Sequence, residues 1–204
     1  MVSDEIEAPT ARGPARVHVD RPEDPRGLLV LGHGAGGGVD APDLVAVRDL
    51  ALERGLVVAR VLQPYRVAGK RMPDRAPALD DAFTSAVSAA RGDTGGPLIV
   101  GGRSSGARVA CRTAGPLGAD GVLCLAFPVN GRRRRDGSLP PSRLPEIDAV
   151  EVPVLVVQGD RDPFGCPPSR HDREVVVVKA DHSLKKAVDD VRQAAGAWLD
   201  RLLA

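Results

Sequence analysis

Short runs of Val, Leu and Ile bounded by Gly or Pro alternate along this chain with Ala-rich segments of helical spacing, and that alternation constrains the fold more than any other feature. Runs at 15–19, 27–31, 56–62, 97–101, 121–126, 152–158 and 174–179 read as strands, and 42–54, 75–91, 105–117 and 184–204 read as helices. Most of the strand runs are apolar throughout rather than alternating, which is the pattern of strands covered on both faces. The final segment carries Leu184, Ala187, Val188, Val191, Ala195, Trp198, Leu199 and Leu202 at helical spacing. Strands alternating with helices predict an α/β fold: a doubly wound, mainly parallel sheet of about six or seven strands flanked by helices. With 204 residues and 43% hydrophobic composition, the chain has material for one core and too little for two comfortable domains, so residues 1–204 are expected to form a single domain. Residues 1–14, acidic and without a strand-like run, are expected to be poorly ordered.

The charge balance narrows the partners. Twenty-eight basic and 27 acidic side chains leave a formal charge of +1, so no global field attracts nucleic acid or an acidic membrane. Aromatic residues are 2% of the chain, too few for base-stacking platforms. Cys111, Cys124 and Cys166 lack the spacing of a zinc site or redox pair, and no run reaches the ~18 apolar residues of a membrane span. The start of the chain has no apolar segment of the signal-peptide kind. The expectation is a cytoplasmic monomer or homodimer with no metal, no cofactor, no membrane and no nucleic acid, acting on a small molecule.

In doubly wound sheets the reactive groups lie on loops leaving the carboxyl ends of strands. Four such loops, 32–38, 102–106, 159–168 and 180–183, have unusual composition. Gly102-Arg103-Ser104-Ser105-Gly106 satisfies G-x-S-x-G between a strand run and a helical run, the setting of a strained turn that exposes a nucleophilic serine at a helix N-terminus. A Gly/Ser turn that merely caps the helix is the plainer alternative. A serine hydroxyl needs a base within hydrogen-bond reach and a third group to hold that base. Of the four histidines, His18 lies inside an early strand and His171 in a polar run, whereas His182 follows a strand and precedes the last helix. Asp160 and Asp162 both follow the run 152–158, and the spacing alone leaves either as the acid. The glycine-rich loop after the run 27–31 is out of register with the G-x-G-x-x-G dinucleotide fingerprint, and no G-K-[ST] follows it.

These segments together resemble the α/β-hydrolase superfamily. The likeness is closer to its dienelactone-hydrolase-like group, which includes the hydrolase-like region of KAT8 regulatory NSL complex subunit 3 and testis-expressed protein 30. The residues that carry it run from about Gly27 onward: Leu31-Gly-His-Gly-Ala-Gly, Gln63-Pro-Tyr, Arg71-Met-Pro-Asp-Arg-Ala-Pro, Gly101-Gly-Arg-Ser-Ser-Gly-Ala-Arg-Val-Ala, Phe127-Pro and Val157-Gln-Gly-Asp-Arg-Asp-Pro-Phe-Gly. Ser105 and Ala107 depart from the Met-Gly type sequence common after the nucleophile. The resemblance implies a serine hydrolase that cleaves a small ester, lactone or thioester through an acyl-serine, with the order nucleophile, acid, base met by Ser104, Asp162 and His182. It further implies an oxyanion hole from the backbone N–H groups of Ala35 and Ser105. Some members of the group are subunits of larger assemblies, so a non-catalytic interaction subunit is the alternative, with an acyltransferase or thioesterase on the same triad as a third reading. His33, Tyr65, Arg103 and Phe164, beside these segments, are candidates for lining a substrate pocket, with packing an equal role for Tyr65. Only 128–151 separates two strand runs where lipases insert a lid, so the cover over the site is expected to be minimal. The basic run within it, Arg132 to Arg135, reads as a solvated face or, with Arg66, Lys70, Arg71 and Arg75, as a rim for an anionic substrate.

Overall fold

The computed structural model of the chain describes residues 2–204. Eight strands form one sheet in the order β1-β2-β4-β3-β5-β6-β7-β8. Its centre is β3 (Gly27–Gly32), β5 (Leu98–Arg103), β6 (Gly121–Leu125) and β7 (Val154–Gly159), preceded on one side by β4 (Leu56–Leu62) and followed on the other by β8 (Arg173–Val178). These six are mutually parallel. β1 (Val2–Ala8) and β2 (Ala15–Arg21) extend the sheet antiparallel beyond β4.

The continuous apolar runs have the expected cause. Every residue of β3, β6 and β7 is buried, because successive side chains point to opposite faces and each face carries helices. Leu29, Leu31, Val58, Ile99, Leu123 and Leu155 pack with residues of α1 (Pro42–Glu53) and α6 (Val188–Leu202). Leu28, Val30, Val57, Val100 and Val122 pack with residues of α3 (Ala76–Arg91) and α4 (Ser105–Leu117) on the other face. Two one-turn helices, α2 (Pro64–Val67) and α5 (Leu144–Asp148), complete the fold. Residues 126–153, between β6 and β7, hold only α5, so no inserted lid domain covers the strand ends.

Two expectations are corrected. Val2–Ala8 is a paired edge strand rather than part of a poorly ordered segment, which raises the strand number to eight; Met1 lies outside the described residues. Its sequence hides the strand, because only Ile6 and Ala8 turn inward while Asp4, Glu5 and Glu7 are exposed. What holds it is cross-strand pairing: Glu5 meets Arg16 and His18 of β2, and the Ser3 hydroxyl donates to Asp20. The last helix starts at Val188 rather than 184. Leu184 has a φ of 53° and is fully buried, so its apolar side chain belongs to the core although its backbone is not helical.

Between β3 and β5 the chain reverses its direction of travel across the sheet, since β4 lies on one side of β3 and β5 on the other. Ligand sites of open α/β sheets form at such switch points. The register there sets Gly32 beside Gly102.

Candidate active site

Ser104 stands on the turn from β5 into α4 with φ 53° and ψ −106°, a conformation that non-glycine residues rarely adopt. The turn is held by the Ser104 N–H donating to the Leu125 carbonyl at 2.9 Å. Glycines make room for it: a Cβ at Gly102 would lie 2.4 Å, and one at Gly106 2.1 Å, from the Gly32 carbonyl oxygen. The two glycines of the motif therefore let the start of α4 sit against β3.

His182 comes from the loop after β8 and Asp162 from the loop after β7. The Ser104 hydroxyl lies 2.9 Å from His182 Nε2, and His182 Nδ1 lies 2.7 Å from Asp162 Oδ2. An ionised carboxylate only accepts, so the proton sits on Nδ1 and the Nε2 lone pair faces the serine hydroxyl. Asp162 is almost wholly buried, with a side-chain exposure of 1%. Its two oxygens are satisfied: Oδ1 accepts from the Phe164 N–H at 2.9 Å, and Oδ2 also accepts from Gln158 Nε2 at 2.7 Å. The Phe164 ring stands edge-on to the His182 imidazole, with centroids 4.6 Å apart. Asp160 resolves differently. Its carboxylate accepts from the Ala180 N–H at 3.1 Å and ties the two loops together without touching the imidazole.

The glycine-rich loop after β3 brings Gly34 against Ser104: a Cβ there would lie 3.7 Å from Ser104 Cβ. A turn closed by Gly37 N–H donating to Gly34 O presents Ala35 at its crest. Among the described residues neither the Ala35 nor the Ser105 N–H donates to a backbone acceptor, and a free backbone N–H is the type of donor that a developing oxyanion can take up.

The sequence sets His33 and Tyr65 among candidate pocket residues; the structure instead buries both behind this loop, 3% exposed each. His33 Nδ1 donates to Gly34 O at 2.7 Å while Nε2 accepts from the Gln63 N–H at 3.1 Å. The Tyr65 hydroxyl donates to Ala35 O at 2.7 Å. Burial lowers the pKa of His33 and raises that of Tyr65 to about 12, which keeps both neutral as struts. Arg103, a third pocket candidate, lines a cleft of about 580 Å³ together with Gly36, Asp43 and Ser183, but its guanidinium is committed to Asp43 and to the backbone of His182. Gln158 was not singled out from sequence although a signal existed: it is the one polar side chain in a strand otherwise apolar and buried throughout.

Residues 25–199 match the family described as alpha/beta hydrolase domain. No curated protein matches the sequence. Among solved structures, an α/β serine hydrolase without lid from Xanthomonas campestris superposes with a TM-score of 0.79 at 21% identity, covering 98% of this chain and 94% of its own. Est1E from Butyrivibrio proteoclasticus gives 0.77 at 14% identity over 98% of each chain. A dienelactone hydrolase from Anabaena variabilis gives 0.72 at 18% identity over 98% of this chain and 97% of that one. At these identities the likeness is one of fold. Among the described residues no group of three or more His, Cys, Asp or Glu could hold a metal ion, and no helix is long and apolar enough to cross a membrane.

Proposed function

From the chain's membership of the alpha/beta hydrolase domain family, we propose that it is a serine hydrolase cleaving a small ester, lactone or thioester through an acyl-Ser104 intermediate. The observation that carries this reading is the unbroken hydrogen-bonded chain from Ser104 Oγ through His182 to Asp162, at 2.9 and 2.7 Å.

Ser104 Oγ attacks the carbonyl carbon and its proton passes to His182 Nε2. The imidazolium that results is stabilised by Asp162, which stays ionised. Negative charge collects on the former carbonyl oxygen, where the Ala35 and Ser105 N–H groups receive it. Collapse expels the alcohol or thiol, which takes the proton from Nε2 and leaves the acyl group on Ser104. Water then enters and attacks the acyl carbon while giving a proton to Nε2, and the second tetrahedral intermediate breaks its bond to Ser104 Oγ, which takes the proton back from Nε2 as the free acid leaves. The uncovered strand ends favour small substrates over long acyl chains, which need a continuous apolar wall. Cys111 and Cys124, thiols 3.6 Å apart in the core, favour a reducing compartment such as the cytoplasm.

A panel of p-nitrophenyl acetate and butyrate, a dienelactone and a feruloyl ester tests the reading. The last two follow the Anabaena variabilis dienelactone hydrolase and the Est1E structure with ferulic acid bound. We expect burst release of about one p-nitrophenol per chain ahead of steady turnover, lost in Ser104→Ala. Folded protein with neither burst nor turnover on any member would return the chain to the reading of a non-catalytic subunit.

A further inference from the structure

We propose that Arg103, the residue before the nucleophile, is the positioning residue that holds the His182 backbone in reach of Ser104; this rests on the hydrolase reading above.

The loop that carries His182 has little structure of its own. Between β8 and α6 it runs through turns closed by Asp181, Ser183 and the left-handed Leu184. Among the described residues the carbonyl of His182 has one partner, Arg103 Nη2, at 2.9 Å. The same guanidinium is anchored at its other side. Its Nε lies 3.0 Å from Asp43 Oδ2, and Asp43, in the first turn of α1, is fully buried with its Oδ1 accepting from the Leu44 N–H. The third corner, Nη1, crosses Gly34 so closely that a Cβ there would lie 2.8 Å from it. One planar group thus joins four segments: the end of β5, the Gly34 loop, the start of α1 and the loop of the base. A lysine has a single terminal nitrogen and cannot meet Asp43 and the His182 carbonyl with the same fixed fork.

The arrangement matters because a displacement of 1 Å at a reacting group costs on the order of 10²-fold in rate. Asp43 is also buried, and burial pushes its carboxyl upward against the pull of Arg103. Removing Arg103 alone would strand a buried carboxylate and cost stability for a reason unrelated to His182. The informative variant therefore removes both charges.

Arg103→Met with Asp43→Leu is compared with wild type, with Arg103→Lys and with Arg103→Ala plus free guanidinium. Three quantities are read: the rate of Ser104 labelling by a fluorophosphonate, kcat and KM on p-nitrophenyl acetate, and the downfield Nδ1 proton resonance of His182. We expect the double variant to unfold cooperatively, label about 10²-fold more slowly and lose kcat while KM moves less than about threefold. Its Nδ1 resonance should broaden or vanish. Arg103→Lys should share the defect, and guanidinium should restore part of the Arg103→Ala rate. A folded double variant with wild-type labelling and an intact resonance, or a fully active Arg103→Lys, would overturn the proposal. If wild type neither labels nor turns over, the acyl-enzyme reading fails on its own, and the resonance still decides whether Arg103 holds His182.

Discussion

Positive φ in a residue other than glycine occurs at Ser104, Ala126 and Leu184 among the described residues. Ser104 is the nucleophile candidate, Ala126 closes β6 by donating to Val157 O beside it, and Leu184 lies two residues after His182. Strain of about 1–3 kcal/mol per residue persists where the surroundings over-determine it, and here it collects around one constellation. Asp162→Asn should leave the fold unchanged and lower kcat by roughly 10³- to 10⁴-fold, because the amide no longer selects the Nδ1–H tautomer; steady-state kinetics with a thermal melt checks both halves. Gln158→Leu removes one donor to Asp162 and should cost about tenfold, with the Phe164 N–H still holding the acid. His33 carries a pH dependence of stability. Its imidazole protonates near 6.5 in the unfolded chain and only at lower pH when buried, so between those values the unfolded state holds more protons. Stability should therefore fall as pH drops below 6.5, and His33→Gln should flatten that part of a plot of Tm against pH. Of these residues Ser104 and His182 were legible in sequence from motif and position, while the choice of Asp162 over Asp160 came with the family likeness. The part played by Arg103 was not, since its partners Asp43 and His182 lie 60 and 79 positions away in the chain.

Among elements, the turn from β5 to α4 and the added edge strand carry different burdens. Gly106→Ala would drive a methyl to 2.1 Å from a backbone oxygen of β3, which cannot step aside without opening the sheet. We expect a loss of about 3 kcal/mol or more, seen as a lowered denaturation midpoint or insoluble protein. β1 lies at the opposite edge of the sheet from β8, two strands beyond the β3–β5 junction's own neighbour β4. Deleting 2–8 uncovers the β2 edge and takes the buried Ala8 and half-buried Ile6 away from the core, so stability should fall by about 2 kcal/mol and aggregation should increase. The labelling rate per folded molecule should stay unchanged. Apolar runs made β3 to β7 readable to within two residues, because burial on both faces keeps them apolar at almost every position. β1 was missed because an exposed acidic edge strand has no apolar period; its signal is the complementary charge on β2, which is visible only once the register is known.

At the scale of the molecule, a parallel sheet with helices on both faces leaves its strand ends open along one edge, and the chain places four glycine- or aspartate-rich loops there. That each follows a strand was implied by the alternation, whereas their order along the sheet, from the loop after β3 through those after β5, β7 and β8, comes from the strand topology. Their convergence on one point follows from the reversal between β3 and β5 and from the twist of the sheet. The central claim, that this convergence makes Ser104 a nucleophile, is tested most directly by intact-mass and peptide mapping after reaction with a fluorophosphonate at neutral pH. The account predicts one adduct per chain, located on Ser104, absent from Ser104→Ala and from heat-unfolded protein. A natively folded chain that takes up no adduct, or carries it on another residue, would contradict it.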